Sequence, residues 1–365
     1  MNITIVAGAR PNFMKIAPVI EAIEKKIALG LNLNYRLVHT GQHYDKNLSD
    51  TFFEELNIPK PDINLNVKSG SQAEQTAAIM IGFEKELEEN PCDLVVVVGD
   101  VTSTMACTIV AKKAGIKVAH IEAGIRSGDM TMPEEINRIV TDSLTDYFFT
   151  TSIHANENLK RLGVREDQVF FVGNVMIDTL LKNKSRFKPP KIWEELNLQK
   201  RKYLVLTLHR PSNVDEEEEF EALLNQIISL SQNYHIIFPV HPRTRKIIET
   251  LHLNFNTLHL ITPLGYLEFN YLVKNSLAVL TDSGGITEEA TVMNVPCITL
   301  RETTERPETC DIGTNILVGN NPEKITEAFK TLFLGNWKQG QIPELWDGQS
   351  AQRIVNHLIE IFKVK

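Results

Sequence analysis

The chain has 365 residues, of which 42% are hydrophobic and 23% charged, and its formal net charge is -8. This length favours two domains, and the composition is ordinary for a globular protein. The negative charge argues against nucleic acid as the main partner, and no apolar stretch approaches the length of a membrane span, so we expect neither nucleic-acid nor membrane partners. The four cysteines are far apart in sequence and form no metal-binding spacing, which predicts reduced thiols, a cytoplasmic location and no bound metal.

The first half of the chain alternates short apolar runs with amphipathic stretches of helical period. The run that begins at Met1 is too short for the apolar region of a signal peptide, and we expect it to form the first strand. Such alternation is typical of a parallel sheet covered by helices on both faces. The predicted strands are Ile3–Ala7, Tyr35–Thr40, Leu94–Gly99, Val118–Glu122 and Tyr147–Thr150, and the predicted helices include Ala17–Lys26, Gln72–Glu89 and Thr104–Ala114.

The second half repeats this alternation after a proline-bearing stretch with little periodicity. We therefore expect an α/β fold of two Rossmann-like domains, residues 1–172 and 173–348. The amphipathic helix within residues 349–365 could pack on either domain. Two such domains that face each other leave a central cleft where the carboxyl ends of the strands converge, and ligands usually bind there. The predicted strands of this half are Tyr203–Leu208, Ile236–Val240, Leu258–Ile261, Leu277–Thr281 and Cys297–Leu300.

A glycine-rich turn within residues 281–289 is the strongest single functional signal in the chain. It follows an apolar run, and Ser283, Gly284 and Gly285 form a turn before a predicted helix. Free backbone N–H groups and the positive end of the helix dipole favour a phosphate, and Glu289, one turn later, could accept from two ribose hydroxyls. An ordinary strand–turn–helix junction with acidic residues in its first turn explains the same pattern.

Two nucleotide-binding motifs are missing from the sequence. No Gly-x-Gly-x-x-Gly and no Gly-x-x-x-x-Gly-Lys-[Ser/Thr] follows a predicted strand. Their absence argues against bound NAD and against a P-loop NTPase, so we expect no cofactor. This bears on the chemistry, because many sugar epimerases use NAD to oxidise a carbinol transiently.

Polar side chains stand at the ends of several predicted strands of the first half. Arg10 and Lys15 follow the first strand and could bracket a phosphate, although solvated bases at a helix start give the same pattern. Asp100 follows the third strand and is either a cleft acid or a helix N-cap. Glu122 ends the fourth strand before a glycine, so we expect it to point into the cleft. Glu134 lies in the first turn of a predicted helix, where an acid also simply stabilises the helix start.

In the second half, His209 stands at the end of a predicted strand. A single histidine at such a position is more often structural than catalytic. Acids and a histidine that are repeatedly placed at strand ends indicate a cleft equipped for acid–base chemistry.

Together these motifs resemble those of the non-hydrolysing UDP-N-acetylglucosamine 2-epimerases. The resemblance covers residues 1 to about 320 in the order of the family, and the combination is highly specific. The motifs that carry it are Gly8–Pro11, Thr40–His43, Gly99–Asp100, Glu122–Arg126, Pro133–Arg138, His209–Arg210, Asp282–Glu289 and Thr303–Glu308.

The resemblance implies the GT-B architecture, with a UDP-binding second domain and a C-terminal helix that returns to the first. It implies an isomerase that interconverts UDP-GlcNAc and UDP-ManNAc by eliminating UDP to a glycal and adding it back, and that supplies sugars for surface polysaccharide. We also expect a homodimer. We further expect Arg10 and the turn formed by Ser283, Gly284 and Gly285 to hold the diphosphate from opposite domains. The residues that match the family's catalytic groups are Asp100, Glu122, Glu134 and His209, and those that match its UDP site are Arg10, Phe269 at the uracil, Ser283, Gly284, Gly285, Glu289 and Arg306.

Three features of the sequence leave open the substrate and the presence of an activator site, the latter at residues 44–46, which lie outside the described residues. The family commonly has His-Arg-Arg-Glu-Asn where this chain has His-Arg-Pro-Ser-Asn at 209–213, and residues 44–46 differ from those with which many bacterial members bind a second, activating UDP-GlcNAc. The motifs at 8–13 and 132–137 also look similar to those of relatives acting on UDP-2,3-diacetamido-2,3-dideoxy-glucuronate, and a 2-epimerase of that sugar is the alternative. A GT-B glycosyltransferase or a non-catalytic nucleotide-sugar-binding regulator fits the three acids and the histidine less well.

Overall fold

The computed structural model describes residues 1–41, 55–240, 242–253 and 256–365, apart from the side chains of residues 10, 211, 212, 242 and 243. These residues divide into two units, Met1–Lys182 with Glu344–Lys365 and Asn183–Pro343. Each unit is built around its own parallel sheet. No helix in these ranges is long and apolar enough to cross a membrane.

The first unit contains a seven-stranded sheet whose pairs are all parallel. Its strands are β1 (Asn2–Ala7), β2 (Asn34–His39), β3 (Ile63–Asn64), β4 (Leu94–Val98), β5 (Lys117–Ala123), β6 (Tyr147–Thr150) and β7 (Val169–Phe171). All five residues of β4 are buried, as expected for a strand covered on both faces. The strand order is β3-β2-β1-β4-β5-β6-β7, so the direction of winding reverses between β1 and β4. Ligands of open α/β sheets bind beside such a switch point, at the carboxyl ends of the strands.

Helices cover this first sheet. Their apolar faces are buried with the strands: Ile79 and Phe83 belong to the same buried apolar cluster as Val95 and Val97 of β4. The helices are α1 (Arg10–Ala28), α2 (Gln72–Glu89), α3 (Thr102–Lys113), α4 (Pro133–Leu144), α5 (Ile153–Arg161) and α6 (Val175–Asn183).

The second unit repeats the topology with six parallel strands. They are β8 (Tyr203–Thr207), β9 (His235–Pro239), β10 (Leu258–Ile261), β11 (Ala278–Thr281), β12 (Cys297–Thr299) and β13 (Asn315–Leu317). Their order, β10-β9-β8-β11-β12-β13, places the second switch point between β8 and β11. Leu206, Phe238 and Leu280 belong to the buried apolar cluster of this unit.

The helices of the second unit precede a final helix that belongs to the first. They are α7 (Lys191–Glu195), α8 (Pro211–Val214), α9 (Glu217–Leu230), α10 (Pro242–Thr250), α11 (Tyr266–Asn275), α12 (Gly284–Val292), α13 (Pro307–Asp311) and α14 (Pro322–Phe333), followed by α15 (Ser350–Phe362).

Each predicted strand is present with ends that differ by at most one residue, but β3, β7 and β13 were not predicted. All three are edge strands of two or three residues, and such short runs carry no periodicity. The predicted start of the first helix at Ala17 is wrong, because α1 begins at Arg10. The Asn12 side chain accepts from the N–H groups of Gly8 and Ala9, which allows the helix to start inside the polar loop.

The division between the units differs from the boundary expected after residue 172. Helix α6 lies almost wholly in the first unit, where the Thr179 hydroxyl donates to the carbonyl oxygen of Met14. Asp178 of the same helix accepts from the backbone N–H groups of Ser350 and Ala351 at the start of α15. Long-range contacts of this kind fix the boundary, and a composition change in the sequence does not report them.

Candidate active site

Two predicted site residues of the first unit, Lys15 and Glu122, form an ion pair. Glu122 lies near the end of β5, where the register with β6 shifts between Ile121 and Ala123. Its φ of 75° is left-handed, a conformation that costs roughly 1–3 kcal/mol for a residue with a side chain. An irregularity of this type re-aims a side chain. The carboxylate is buried, and its Oε2 lies 2.6 Å from Lys15 Nζ.

Gly99, directly after β4, keeps the space beside this pair open. Its φ is 68°, and a Cβ at this position would lie 3.2 Å from Lys15 Nζ and 3.5 Å from Asn12 Nδ2. A larger residue would therefore press on the side chain that pairs with Glu122.

Asp100 is held by an arginine of α4 and is not the N-cap of α3, a position that Val101 occupies. Arg138 donates from Nε (3.0 Å) and Nη2 (2.7 Å) to one Asp100 carboxylate oxygen, and Asn137 Nδ2 donates to the Asp100 carbonyl oxygen at 2.8 Å. The Asp100 side chain keeps 28% of its surface exposed. Its orientation is thus fixed while part of the carboxylate stays accessible.

Neighbouring glutamates at the start of α4 have different environments. Glu135 is buried and accepts from the N–H groups of Ser127 and Gly128 and from Arg138. Burial by itself raises the pKa of Glu135, but these hydrogen bonds outweigh it and hold that pKa below its usual value. Glu134 is half-buried, and its carboxylate has no hydrogen bond or ion pair with residues that the structure describes. Glu134 is therefore the one of the two that can receive a ligand.

A buried polar network lies behind the loops that follow β4 and β5. His120 Nδ1 is 2.7 Å from an Asp142 carboxylate oxygen, and His120 Nε2 is 2.8 Å from the Gly99 carbonyl oxygen. Asp142 also accepts from Gly124 N–H at 3.1 Å and pairs with Arg126 at 2.7 Å. Burial raises the pKa of Asp142, but its partners His120 and Arg126 reverse this and lower it. The network ties both loops to helix α4.

In the loop after β1, backbone N–H groups donate to a side chain at the start of α1. Asn12 Oδ1 accepts from Gly8 N–H at 3.1 Å and Ala9 N–H at 3.0 Å, and Asn12 Nδ2 donates to the Val98 carbonyl oxygen at 3.0 Å. The two N–H groups are therefore taken within the protein. Arg10 begins α1, but its side chain lies outside the described residues, so its predicted contact with UDP remains a prediction.

In the second unit, the glycine-rich turn begins helix α12. Ser283 is the N-cap and Gly284 the first helical residue, and both residues are half-buried with Gly285. The first N–H groups of a helix have no acceptor inside the helix, and the positive end of the dipole lies there. The turn thus has the local geometry that a phosphate site requires.

Charged side chains lie beside this helix start. A Cβ on Gly284 would lie 2.6 Å from Glu305 Oε1 and 3.9 Å from Arg301 Nη1. Arg301 Nη2 pairs with Glu305 at 2.7 Å, and Arg210 lies 4.0 Å from the same carboxylate. Only a residue without a side chain lets these groups approach the first turn.

Glu289 is buried and accepts a hydrogen bond from the Tyr266 hydroxyl at 2.7 Å. Burial raises the pKa of Glu289 to about 7, despite hydrogen bonds from Tyr266 and Asn270 that act in the opposite direction. Phe269, the predicted uracil contact, is half-buried on α11, the helix that also carries Tyr266.

His209 follows β8 with 65% of its side chain exposed, and its Nδ1 lies 2.7 Å from Oδ1 of the fully buried Asp282. Burial raises the pKa of Asp282, but the contacts from His209 and the backbone N–H of Arg210 outweigh it and lower the pKa. His209 is thus an exposed imidazole whose Nδ1 side faces the Asp282 carboxylate.

Arg306 has a different environment from that expected of a residue open to UDP. It is 4% exposed, and its Nε forms an ion pair with Glu288, which is also buried. Its predicted role in holding UDP is untested by this geometry and remains a prediction.

Several residues that shape these sites were not singled out as site residues from the sequence. Asp282 follows the end of a predicted strand, as Asp100 does, so the same argument would have found it. Arg138 stands three residues after Glu135 on one helix face, a spacing that signals an ion pair. Tyr266 gives no sequence signal, because its contact with Glu289 depends on the packing of α11 beside α12.

Comparison with known proteins gives one consistent result. A family model described as UDP-N-acetylglucosamine 2-epimerase matches residues 25–359. A UDP-N-acetylglucosamine 2-epimerase of Methanocaldococcus jannaschii is 42% identical over 370 residues, covering 98% of this chain and 99% of that protein. A UDP-2,3-diacetamido-2,3-dideoxy-D-glucuronate 2-epimerase of Pseudomonas aeruginosa is 37% identical, covering 99% of this chain and 100% of that protein.

The solved structures agree with the sequence comparison. The crystal structure of the M. jannaschii UDP-GlcNAc 2-epimerase in complex with UDP-GlcNAc and UDP matches with a TM-score of 0.87, covering 99% of this chain and 100% of that one. The Neisseria meningitidis UDP-GlcNAc 2-epimerase bound to UDP-GlcNAc, 31% identical, also matches with a TM-score of 0.87 and the same coverage. The predicted α/β fold of the GT-B type is confirmed by these matches. The chain therefore belongs to the UDP-N-acetylglucosamine 2-epimerase family.

Proposed function

We propose that this protein catalyses the reversible C2 epimerisation of UDP-GlcNAc to UDP-ManNAc. One observation carries the proposal. Asp100 and Glu122 lie at the carboxyl ends of the neighbouring strands β4 and β5, in a chain that is 42% identical over nearly its whole length to a protein named UDP-N-acetylglucosamine 2-epimerase. The reaction would be an isomerisation that needs neither a redox cofactor nor a metal.

The chemistry sets what the site must supply. The C2 proton of the sugar has no neighbouring carbonyl group on the ring, so its direct removal is very unfavourable. Loosening the C1–O bond to UDP builds positive charge at C1 and makes the C2 proton more acidic. Elimination gives a glycal and UDP, and readdition with a proton delivered to the other face of C2 inverts that centre. The enzyme therefore needs a site for the leaving diphosphate and acid–base groups near both faces.

The first unit supplies the acid–base groups. Asp100 is oriented by Arg138, and Glu122 is held by Lys15, so neither carboxylate has to be ordered when the sugar binds. We propose that these two carboxylates and Glu134 exchange protons with the substrate.

The second unit supplies groups for UDP and a further catalytic group. The start of α12 suits the diphosphate. Arg10 stays a proposed contact of UDP. Glu289 would accept hydrogen bonds from the ribose hydroxyls, with Phe269 at the uracil and Arg306 nearby. His209, exposed and anchored by Asp282, would be the fourth catalytic residue.

Incubation with UDP-GlcNAc alone tests the proposal. An epimerase gives a mixture of UDP-GlcNAc and UDP-ManNAc, a glycosyltransferase gives slow hydrolysis, and a binding regulator leaves the sugar unchanged. Glu122→Gln and Asp100→Asn should each lower kcat by about a hundredfold or more with little change in UDP affinity. The exposed Glu88→Gln is the matched control and should behave as wild type. Near wild-type turnover in either site variant would assign that acid a structural role.

A second substrate is supported by one observation. The P. aeruginosa protein named UDP-2,3-diacetamido-2,3-dideoxy-D-glucuronate 2-epimerase is 37% identical over essentially the whole chain. We expect the UDP-GlcNAc reaction to have the higher kcat/KM, because the M. jannaschii protein is the more similar of the two. A higher kcat/KM for the diacetamido-uronate would reassign the substrate while leaving the C2 chemistry intact.

We also propose that the enzyme works as a cytoplasmic homodimer whose product enters surface polysaccharide. The support is the family resemblance, together with the free state of all four cysteines. Light scattering of the purified protein should give twice the chain mass of 41.3 kDa. A mass equal to one chain would contradict the dimer.

A further inference from the structure

We propose that Asp282 is a positioning residue that holds His209 in a single tautomer, with the proton on Nδ1 and a free lone pair on Nε2. The hydrogen-bond partners of the Asp282 carboxylate and its burial support this role. The catalytic consequence rests on the proposed function of His209, whereas the tautomer itself does not.

The two carboxylate oxygens of Asp282 have separate partners. Oδ2 accepts from the backbone N–H of His209 at 3.0 Å, the backbone N–H of Arg210 at 2.9 Å and Asn213 Nδ2 at 3.1 Å. Three donors on one oxygen lock the carboxylate in place and fix the turn after β8. Oδ1 has no fully aligned hydrogen bond, and His209 Nδ1 lies 2.7 Å from it.

Because Asp282 is buried, its Oδ1 needs a hydrogen-bond donor from within the protein. Asp282 is 0% exposed, so solvent water cannot donate to Oδ1. A buried acceptor without a donor lowers the stability of the folded protein by about 1–3 kcal/mol. The His209 ring is largely exposed, so a small rotation aligns its Nδ1–H with Oδ1. A carboxylate can only accept, and at 2.7 Å an unprotonated Nδ1 would place two lone pairs against each other.

The consequence is a defined chemical role for the exposed nitrogen. In the neutral ring with its proton on Nδ1, Nε2 can only accept, so it can take a proton and return it. Arg210 contacts Asp282 through its backbone N–H, which donates to Oδ2 at 2.9 Å, and through its Nε, which donates to the Asp282 carbonyl oxygen at 3.0 Å. The same aspartate therefore shapes the turn and selects the reactive nitrogen.

Asp282→Asn separates these two tasks. The amide oxygen can still accept from the three donors of the turn, while its NH₂ group faces Nδ1 and favours the opposite tautomer, with the proton on Nε2. Asn213→Ala is the control, because it removes one donor to Oδ2, together with the hydrogen bonds of Asn213 to Leu300 and Asn320, without touching Nδ1. A purely structural role predicts similar behaviour of the two variants.

Nitrogen-15 NMR of histidine-labelled protein at alkaline pH reads the tautomer directly, and a His209→Gln spectrum assigns the signals. We expect protonated Nδ1 and unprotonated Nε2 in the wild type and in Asn213→Ala, and the reverse in Asp282→Asn. In the UDP-GlcNAc assay, Asp282→Asn should lower kcat by about 10²–10⁴-fold with KM changed less than about twofold.

The outcomes separate the inference from the proposed function. A wild-type His209 with its proton on Nε2 would overturn the inference, even if Asp282→Asn fails to fold. An unchanged tautomer in folded Asp282→Asn would overturn it as well. A wild type that shows the expected tautomer but does not epimerise UDP-GlcNAc would refute the proposed function and leave the positioning role standing.

Discussion

Replacing Glu289 by glutamine should stabilise the protein at alkaline pH and leave it unchanged at acidic pH. The folded protein raises the pKa of this carboxyl from 4.5 to about 7, because burial disfavours the charged form. Below the unfolded pKa both states are protonated and the site carries no penalty. Stability is lost as the pH rises from the unfolded to the folded pKa, because the unfolded chain ionises there while the buried group stays protonated, and the loss is complete above the folded pKa. A difference of roughly 2.5 pKa units corresponds to about 3 kcal/mol, fully developed above about pH 7.

Thermal unfolding measures this difference. Glutamine resembles the protonated acid in shape and charge, so Glu289→Gln removes the ionisation penalty. For a domain of this size, 1 kcal/mol corresponds to roughly 2–4 °C, and the variant should therefore melt about 6–12 °C above the wild type near pH 8 and close to it near pH 4. The other titrating groups are present in both proteins, so their contributions cancel in the Tm difference. Glu327→Gln, an exposed substitution on α14, is the control and should show no such pH dependence. A Tm difference that is the same at both pH values would refute the argument from burial.

Three further substitutions test other parts of the structure. Gly124→Ala should destabilise the protein by several times more than Gly163→Ala. Both glycines have a φ of 78°, but of the two only Gly124 would place a Cβ 2.5 Å from a backbone carbonyl oxygen. Equal losses of Tm in the two variants would contradict this close contact. Arg138→Gln should lower kcat by roughly tenfold or more with a smaller effect on UDP affinity, because it releases Asp100, and unchanged turnover would show that Asp100 needs no anchor. Gly284→Ala should weaken UDP binding by roughly tenfold in calorimetry, because its Cβ enters the space at the start of α12 and would lie 2.6 Å from Glu305 Oε1. An unchanged Kd would place the phosphate elsewhere.

The sequence was a good guide wherever a feature repeats or depends on near neighbours. Buried runs such as Leu94–Val98 predict strands, because a parallel strand covered on both faces is apolar throughout. The ends of those strands then indicate where polar loops gather, which led to Asp100, Glu122 and His209. The order of the strands was not predicted, because right-handed crossovers restrict the possible orders without determining where the direction of winding reverses.

Features that depend on packing could not be predicted in this way. The left-handed backbone of Glu122 arises at a register shift between strands, and its ion pair with Lys15 joins segments far apart in sequence. Burial of Glu289 beside Tyr266 depends on how two helices pack, and the raised pKa follows from that burial. The boundary between the units likewise depends on contacts of Asp178 with the start of α15.

The most direct test of the central claim is epimerisation of UDP-GlcNAc in heavy water. Elimination removes the C2 proton before UDP is added back, so the returning hydrogen comes from an acid that has exchanged with solvent. We expect UDP-ManNAc that carries one deuterium at C2 by proton NMR and mass spectrometry, formed without added NAD or metal. UDP-ManNAc that retains its original C2 hydrogen would contradict the elimination mechanism, and a complete absence of UDP-ManNAc would contradict the proposed function itself.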